Sequence, residues 1–227
     1  LDREVFLALW IVLFALLGLY LLNVIHFPHD DAEERKTTVP RFFLAVASLA
    51  FSIYMIPGLW GAPCKAVSAF APPMWTQDFS LVDNEVHAHF NNYDEGMEYA
   101  RISGKPVLLD FTGYGCVNCR KMESAVWTDD RVSEMLRDDY VLITLFVDDK
   151  PPLAQPVTVV EQGVERKLRT VGDKWSYLQR YKFGANAQPF YVPVDNEGTP
   201  LAGSYSYDED IQAYIDFLKQ GLSNYKK

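Results

Sequence analysis

The chain has little cysteine, little basic charge and no visible internal repeat. Its three cysteines are Cys64, Cys116 and Cys119. An odd count with one close pair excludes the disulfide framework of a small stapled domain. Lys and Arg number 21 against 30 Asp and Glu, giving a formal net charge of -9. No basic surplus is left to neutralise phosphates, which argues against nucleic-acid binding. Residues 1–25 have no basic lead and no small-residue cleavage site follows them, so they read poorly as a signal peptide. The first residue is Leu1 rather than Met, and the expectation is a piece of a longer protein.

Apolar residues, by contrast, are plentiful. The hydrophobic set makes up 49 % and aromatics 14 % of 227 residues, enough for one domain with a sizeable core plus extra segments. They crowd the first third. Val5 to Ile25 carries no charge, and its polar content is Tyr20 and Asn23. Crossing the hydrocarbon core of a membrane takes about 20 apolar residues in a helix. A buried core helix is the competing reading, but such helices usually show a polar stripe. Phe42 to Ala62 is a second uncharged run, with Pro57 and Gly58 near its far end. The expected organisation is a transmembrane hairpin over residues 1–65 (spans 5–25 and 42–62), a linker over 66–92 and a folded domain over 93–227. Pro72 and Pro73 stiffen the linker, and Met74 and Trp75 suit a membrane interface. The connector His26–Arg41 holds Arg35, Lys36 and Arg41, against Arg3 before the first span and Lys65 after the second. This basic bias puts the connector in the cytoplasm and the domain outside it.

From Tyr93 helical and strand patterns alternate. A helix is expected over Tyr93–Ser103, stopped by Gly104-Lys105-Pro106. Buried strands are expected at Val107–Phe111, Tyr140–Val147 and Phe190–Val194. Helices are expected near Cys116, over Asp129–Asp138, over Trp175–Tyr181 and over Asp208–Gly221. Val157–Val160 and Val164–Thr170 flank Gln162-Gly163 as a hairpin, and residues 200–206 are a further candidate strand. The pattern implies a mixed α/β sandwich.

Cys116-Val117-Asn118-Cys119 carries the strongest chemical signal. It follows an expected strand and opens an expected helix. A helix N-terminus presents free N–H groups and partial positive charge, which stabilise a thiolate, the attacking species in disulfide exchange. Two intervening residues put the second sulfur within one turn, ready to resolve a mixed disulfide. A structural disulfide, a zinc site and coincidence are the bland alternatives. Zinc wants four ligands, and neither a second CxxC nor a nearby His pair exists. Asp110, inside the apolar strand six residues before Cys116, is expected beneath the cysteines with a raised pKa suited to proton transfer with Cys119. Its bland alternative is a strand-end Asp bonded to backbone. Glu123 lies one turn after Cys119 and either tunes the same thiols or is a solvated helix residue. Pro189 opens a strand, a common edge marker. Cys64 reads as a small apolar filler.

Val107–Phe111, Cys116–Cys119 and Pro189 together resemble the thioredoxin superfamily. The stretch from Asp110 through Cys116-Val117-Asn118-Cys119-Arg120-Lys121-Met122 to Glu123 is closer still to the C-terminal domain of the DsbD family of transmembrane thiol:disulfide interchange proteins. The resemblance implies a thioredoxin-like α/β fold, a mixed sheet flanked by helices, preceded by two transmembrane helices. It implies dithiol–disulfide exchange with no bound cofactor, in a bacterial inner membrane with the domain facing the periplasm. Cys116 would be the exposed nucleophile, Cys119 the resolving thiol, Asp110 and Glu123 the tuning acids, and Pro189 the cis-proline against the active-site disulfide. The implied partners are a membrane redox domain upstream of Leu1 and extracytoplasmic thiol/disulfide proteins: disulfide isomerases and cytochrome c maturation proteins, reached through a separate N-terminal domain. Some features depart from thioredoxins proper. Gly115 stands before the first cysteine, Val117-Asn118 lie between the two, and Ser124 occupies the place of the helix-kinking proline. With no His between the cysteines, a strong oxidant is disfavoured. An oxidase or isomerase on the same fold, or a non-catalytic module with a structural disulfide, are the rival functions.

Overall fold

The computed structural model describes residues 2–28, 37–81, 86, 88–161 and 163–225, with Trp75 described by its backbone alone. Two compact units are present, Leu1–Asp83 and Asn84–Lys227.

The first unit is built on α1 (Arg3–Leu21) and α2 (Val39–Met55). Both are long and apolar enough to cross a membrane when the turn after α2 is included. Their outward surface is apolar: Leu9, Val12, Leu13 and Leu16 on α1 and Phe43, Leu44 and Ile53 on α2 are exposed. A core helix of a soluble protein would bury those side chains, whereas lipid accepts them. The helices hold each other through a small-residue seam. Ser48 Oγ donates to the Phe14 carbonyl (2.8 Å) and Ser52 Oγ to the Ile11 carbonyl (2.9 Å). Hydroxyl-to-carbonyl bonds of this kind are a usual adhesive between apolar helices. The boundaries differ from the expected spans. α1 stops at Leu21 and Asn23 adopts a left-handed φ of 59°. α2 starts three residues early because Pro40 suits a first helical turn, and it tightens into a 3-10 turn at Ile56–Trp60, where Pro57 lacks the N–H an α-helix needs. The expected connector falls partly on residues 29–36, outside the described residues.

The second unit is a mixed α/β layer structure. Its elements are α3 (Tyr93–Ser103), β1 (Val107–Thr112), α4 (Val117–Ala125), α5 (Asp130–Glu134), β2 (Val141–Phe146), β3 (Pro152–Glu161), β4 (Val164–Thr170), α6 (Val171–Phe183), β5 (Phe190–Val194) and α7 (Ile211–Tyr225). The described residues form a three-stranded sheet in the order β2-β1-β5, parallel between β1 and β2 and antiparallel between β1 and β5. β1 is central, and all six of its residues are buried. Alternation along it decides what lies on each face. Val107, Leu109 and Phe111 join Ile143, Leu145 and Val192 under α3 and α6. Leu108 joins Met122, Leu142, Tyr191, Tyr214 and Leu218 under α4 and α7. Asp110 and Thr112, two and four residues on from Leu108, therefore point to the α4 side.

Several boundaries move for local reasons. α6 begins at Val171 because Thr170 and Asp173 form a capping box at its start. α7 runs to Tyr225 and starts later than expected, after Asp208 and Asp210 have turned the chain with side-chain bonds to the amides of Asp210 and Ala213. Residues 200–206 do not make a strand. They touch β5 at two isolated bridges, Val194 to Pro200 and Tyr191 to Tyr205. Phe90, expected in the linker, lies beside β2 in a parallel bridge to Ile143, its amide donating to the Leu142 carbonyl. β3 and β4 form a separate two-stranded ribbon, and its expected turn includes Gln162, outside the described residues.

Candidate functional site

Cys116 and Cys119 are joined in a disulfide at the start of α4, their Cα atoms 5.3 Å apart. Cys116 is the N-cap of the helix, and its Sγ accepts the Cys119 amide at 3.2 Å. The Cys119 amide at the helix start thus points at the sulfur that would carry negative charge once the bond opens. Exposure separates the two sulfurs. Cys116 is partly exposed, while Cys119 is 1 % exposed. Solvent thus has access to Cys116 and hardly any to Cys119.

The loop before Cys116 is held by a residue that sequence reading missed. Asp148, two residues past the end of β2, accepts the backbone N–H of Tyr114 at 3.0 Å and of Gly115 at 3.3 Å. Gly113 makes this approach feasible, since a Cβ there would stand 2.5 Å from the Gln188 side-chain oxygen and 3.1 Å from the Asp148 carboxyl. Tyr114 lies stacked on Phe146, ring centroids 4.3 Å apart, and both Tyr114 and Val117 expose apolar surface beside Cys116.

Beneath α4 lies a buried polar cluster. Asp110 is 2 % exposed; one carboxylate oxygen accepts from Thr144 Oγ1 at 3.2 Å and the other finds no partner among the described residues. Burial pushes its pKa up to about 7, and the Glu123 charge adds to the rise, while Arg120 and the Thr144 hydrogen bond oppose it. A carboxyl so placed takes or releases a proton near neutrality. Glu123 is not a solvated helix residue: its side chain is 16 % exposed and ion-paired to Arg120 at 2.7 Å. Arg120 is itself 5 % exposed and also donates to Thr112 Oγ1 at 3.1 Å. Reading Arg120 as part of the site needed the i,i+3 spacing to Glu123 together with the burial of that helix face, and burial was not legible in a sequence window rich in polar residues. Tyr191 opposes Asp110 across the β1–β5 pair, and burial beside Asp110 raises its phenol pKa well above the usual value.

Pro189 stands at the head of β5 with a cis peptide bond from Gln188. The register pairs Phe111 with Phe190, so Pro189 lies beside the end of β1 that leads into the cysteine loop. The structure therefore places Cys116 and Cys119 at the start of α4, Glu123 further along the same helix within reach of the Asp110 charge, and Pro189 at the head of β5 beside the end of β1. Cys64 lies elsewhere, buried among Leu7, Met55 and Val67 in the first unit. Among the described residues no cluster of His, Cys, Asp and Glu is placed to hold a metal ion.

A three-stranded mixed sheet between helices, with a CxxC disulfide capping the helix that follows the central strand, is a thioredoxin-like fold. Residues 88–192 match the family model described as Thioredoxin-like. Part of the chain is similar to the DsbD thiol:disulfide interchange proteins. It is 43 % identical over 92 residues to DsbD of Ralstonia nicotianae, a match covering 35 % of this chain and 15 % of that protein. It is 26 % identical over 111 residues to DsbD of Campylobacter jejuni, covering 47 % of this chain and 18 % of that protein. The chain thus spans under a fifth of the length of these curated relatives. A solved structure titled DsbH Oxidoreductase is similar at 20 % identity and a TM-score of 0.44, covering 60 % of this chain and 85 % of that one.

Proposed function

We propose that the chain is a membrane-anchored protein-disulfide reductase that relays electrons by dithiol–disulfide exchange. The observation that supports this best is the asymmetric pair: a partly exposed Cys116 sulfur at a helix N-terminus and a buried Cys119 on the same helix, whose inner side faces the buried Asp110 cluster. In the charging half-reaction a donor thiolate attacks Cys116 Sγ. The Cys116–Cys119 bond breaks, and Cys119 leaves with the electron pair and takes the proton of Asp110. The second donor thiol then loses its proton to solvent and bonds to the first donor sulfur; the bond from that sulfur to Cys116 breaks, Cys116 leaves as thiolate, and the donor is oxidised to a disulfide. In the discharging half-reaction Cys116 attacks a client disulfide, Asp110 accepts the Cys119 proton, and Cys119 resolves the mixed disulfide. Two electrons reach the client.

The donor in this reading is a cysteine pair of an upstream membrane redox domain. The acceptors are extracytoplasmic thiol/disulfide proteins of the disulfide isomerase and cytochrome c maturation kind. The basic connector residues Arg35, Lys36 and Arg41 favour a domain on the periplasmic side of a bacterial inner membrane. Membrane-impermeant thiol labelling of reduced Cys116 checks that placement, and labelling from the cytoplasmic side alone refutes it. Equilibration of the pair against dithiothreitol or glutathione checks the direction of flow. A potential near that of thioredoxin, about -270 mV, supports the reductase; one near -120 mV turns the domain into an oxidant or isomerase. Failure of the folded pair to exchange at all leaves a structural disulfide.

A further inference from the structure

Arg120 stands out because the exchange chemistry does not use it, yet the fold buries it. It is 5 % exposed, under the helix that carries the cysteines. Its guanidinium forks: Nη1 donates to Glu123 Oε2 at 2.7 Å, and Nη2 donates to Thr112 Oγ1 at 3.1 Å and reaches the Gly113 carbonyl at 3.5 Å. One arm thus lies along α4. The other reaches the end of β1, next to the loop that turns into Cys116. A planar fork serves two acceptors in different directions at once, which the single ammonium of Lys does poorly.

Resting on the reading of Asp110 as the proton carrier, we propose that Arg120 is a positioning residue for the exchange: it takes up the charge of Glu123 and ties the cysteine helix to β1, leaving Asp110 as the carboxyl that trades protons with Cys119.

The surroundings of Asp110 favour this division of labour. Thr144 faces it from β2 and Tyr191 from β5; Tyr214 of α7 acts on the same cluster, and Glu123 and Arg120 come from α4. Among these groups one is a cation and two are carboxyls. Glu123 has the short ion pair, whereas Asp110 keeps one oxygen unpartnered among the described residues. A paired carboxylate stays charged, and an unpaired buried one is the group driven to hold a proton. Without Arg120 no positive charge among these groups offsets that of Glu123 at Asp110, and only the Thr144 hydrogen bond still opposes the rise.

The test is a single turnover of the full chain in detergent, reduced and then mixed with oxidised glutathione as the probe. In the resolving step Cys119 Sγ forms a bond to Cys116 Sγ and the Cys116–glutathione bond breaks. Glutathione leaves with the electron pair, and the Cys119 proton passes to Asp110. The rate of this release is followed against pH. Arg120→Gln is expected to move the midpoint of the wild-type profile upward by about one pH unit. That is roughly a fivefold slower release at pH 7, as the ionised fraction of Asp110 falls from about a half to about a tenth. Arg120→Lys is expected to fall between the two. Adding Glu123→Gln to Arg120→Gln is expected to return the midpoint towards wild type, which a merely structural role would not do. Should Arg120→Gln fail to fold, the Arg120→Lys midpoint decides in the same sense. An unmoved midpoint with a uniformly slower rate overturns the role of Arg120 alone. A midpoint that persists in Asp110→Asn overturns the proton-carrier reading, and Arg120 with it.

Discussion

Asp110→Asn gives the sharpest test of the buried carboxyl, because it should stabilise the protein while slowing it. In the folded chain Asp110 holds its proton up to about pH 7, against an ordinary value of 3.8, chiefly because burial disfavours the anion. The unfolded chain releases that proton near the ordinary value. Between the two, the native state binds more protons than the unfolded state, so stability falls as pH rises through this window. Each pH unit is about 1.4 kcal/mol, so ionising Asp110 inside the fold costs up to about 4 kcal/mol. Asn has the same shape and never ionises. Guanidinium denaturation of the oxidised Asn84–Lys227 unit, followed by tryptophan fluorescence between pH 4 and 8, compares the two chains. At pH 4 they should be close in stability. The gap should widen in favour of Asn as pH rises and level off above about pH 7. Titrating groups distant from Asp110 cancel in the difference, whereas Glu123 and Arg120, which act on it, set where along the pH axis the gap opens. Parallel curves, or a gap that closes as pH rises, would sink the argument that burial controls this carboxyl. In the same variant, resolution of mixed disulfides should slow at neutral pH through loss of the proton acceptor.

Other outcomes follow from the same geometry. Asp148→Ala should free the Tyr114 and Gly115 amides, and their hydrogen exchange should quicken by roughly tenfold for a lost charge-assisted hydrogen bond; unchanged exchange would mean Asp148 does not hold the loop. Gly172→Ala puts a Cβ 2.6 Å from the Asp149 nitrogen and the Val147 carbonyl, both backbone, and should cost about 1–3 kcal/mol of stability, read as a lower thermal midpoint. Cys119→Ala should accumulate a mixed disulfide with a thiol partner through Cys116 on a non-reducing gel, whereas Cys116→Ala should accumulate none, because the buried Cys119 sulfur is 1 % exposed.

Much of this protein was legible in the residue pattern because the signals are local. Uncharged runs announce apolar helices, and an unbroken apolar run such as Val107–Phe111 announces a buried strand. The cysteine spacing and the Gly104 stop are read within a few residues. The acid inside that strand already implied an ionisation displaced by burial. Edges were less legible. The start of α6 depends on a Thr170–Asp173 capping box, and residues 200–206 carry a strand-like pattern yet meet β5 only at two bridges.

Tertiary structure alone decided how the site is supported. Asp148 is 33 residues away in sequence from the Gly115 amide it holds, and a loop aspartate carries no sign of such a partner. Arg120 and Glu123 look like an ordinary surface pair until the sheet is placed beneath them. Whether a carboxyl is a solvated charge or a proton carrier depends on desolvation and on charges brought close by folding, and both are properties of packing rather than of any sequence window.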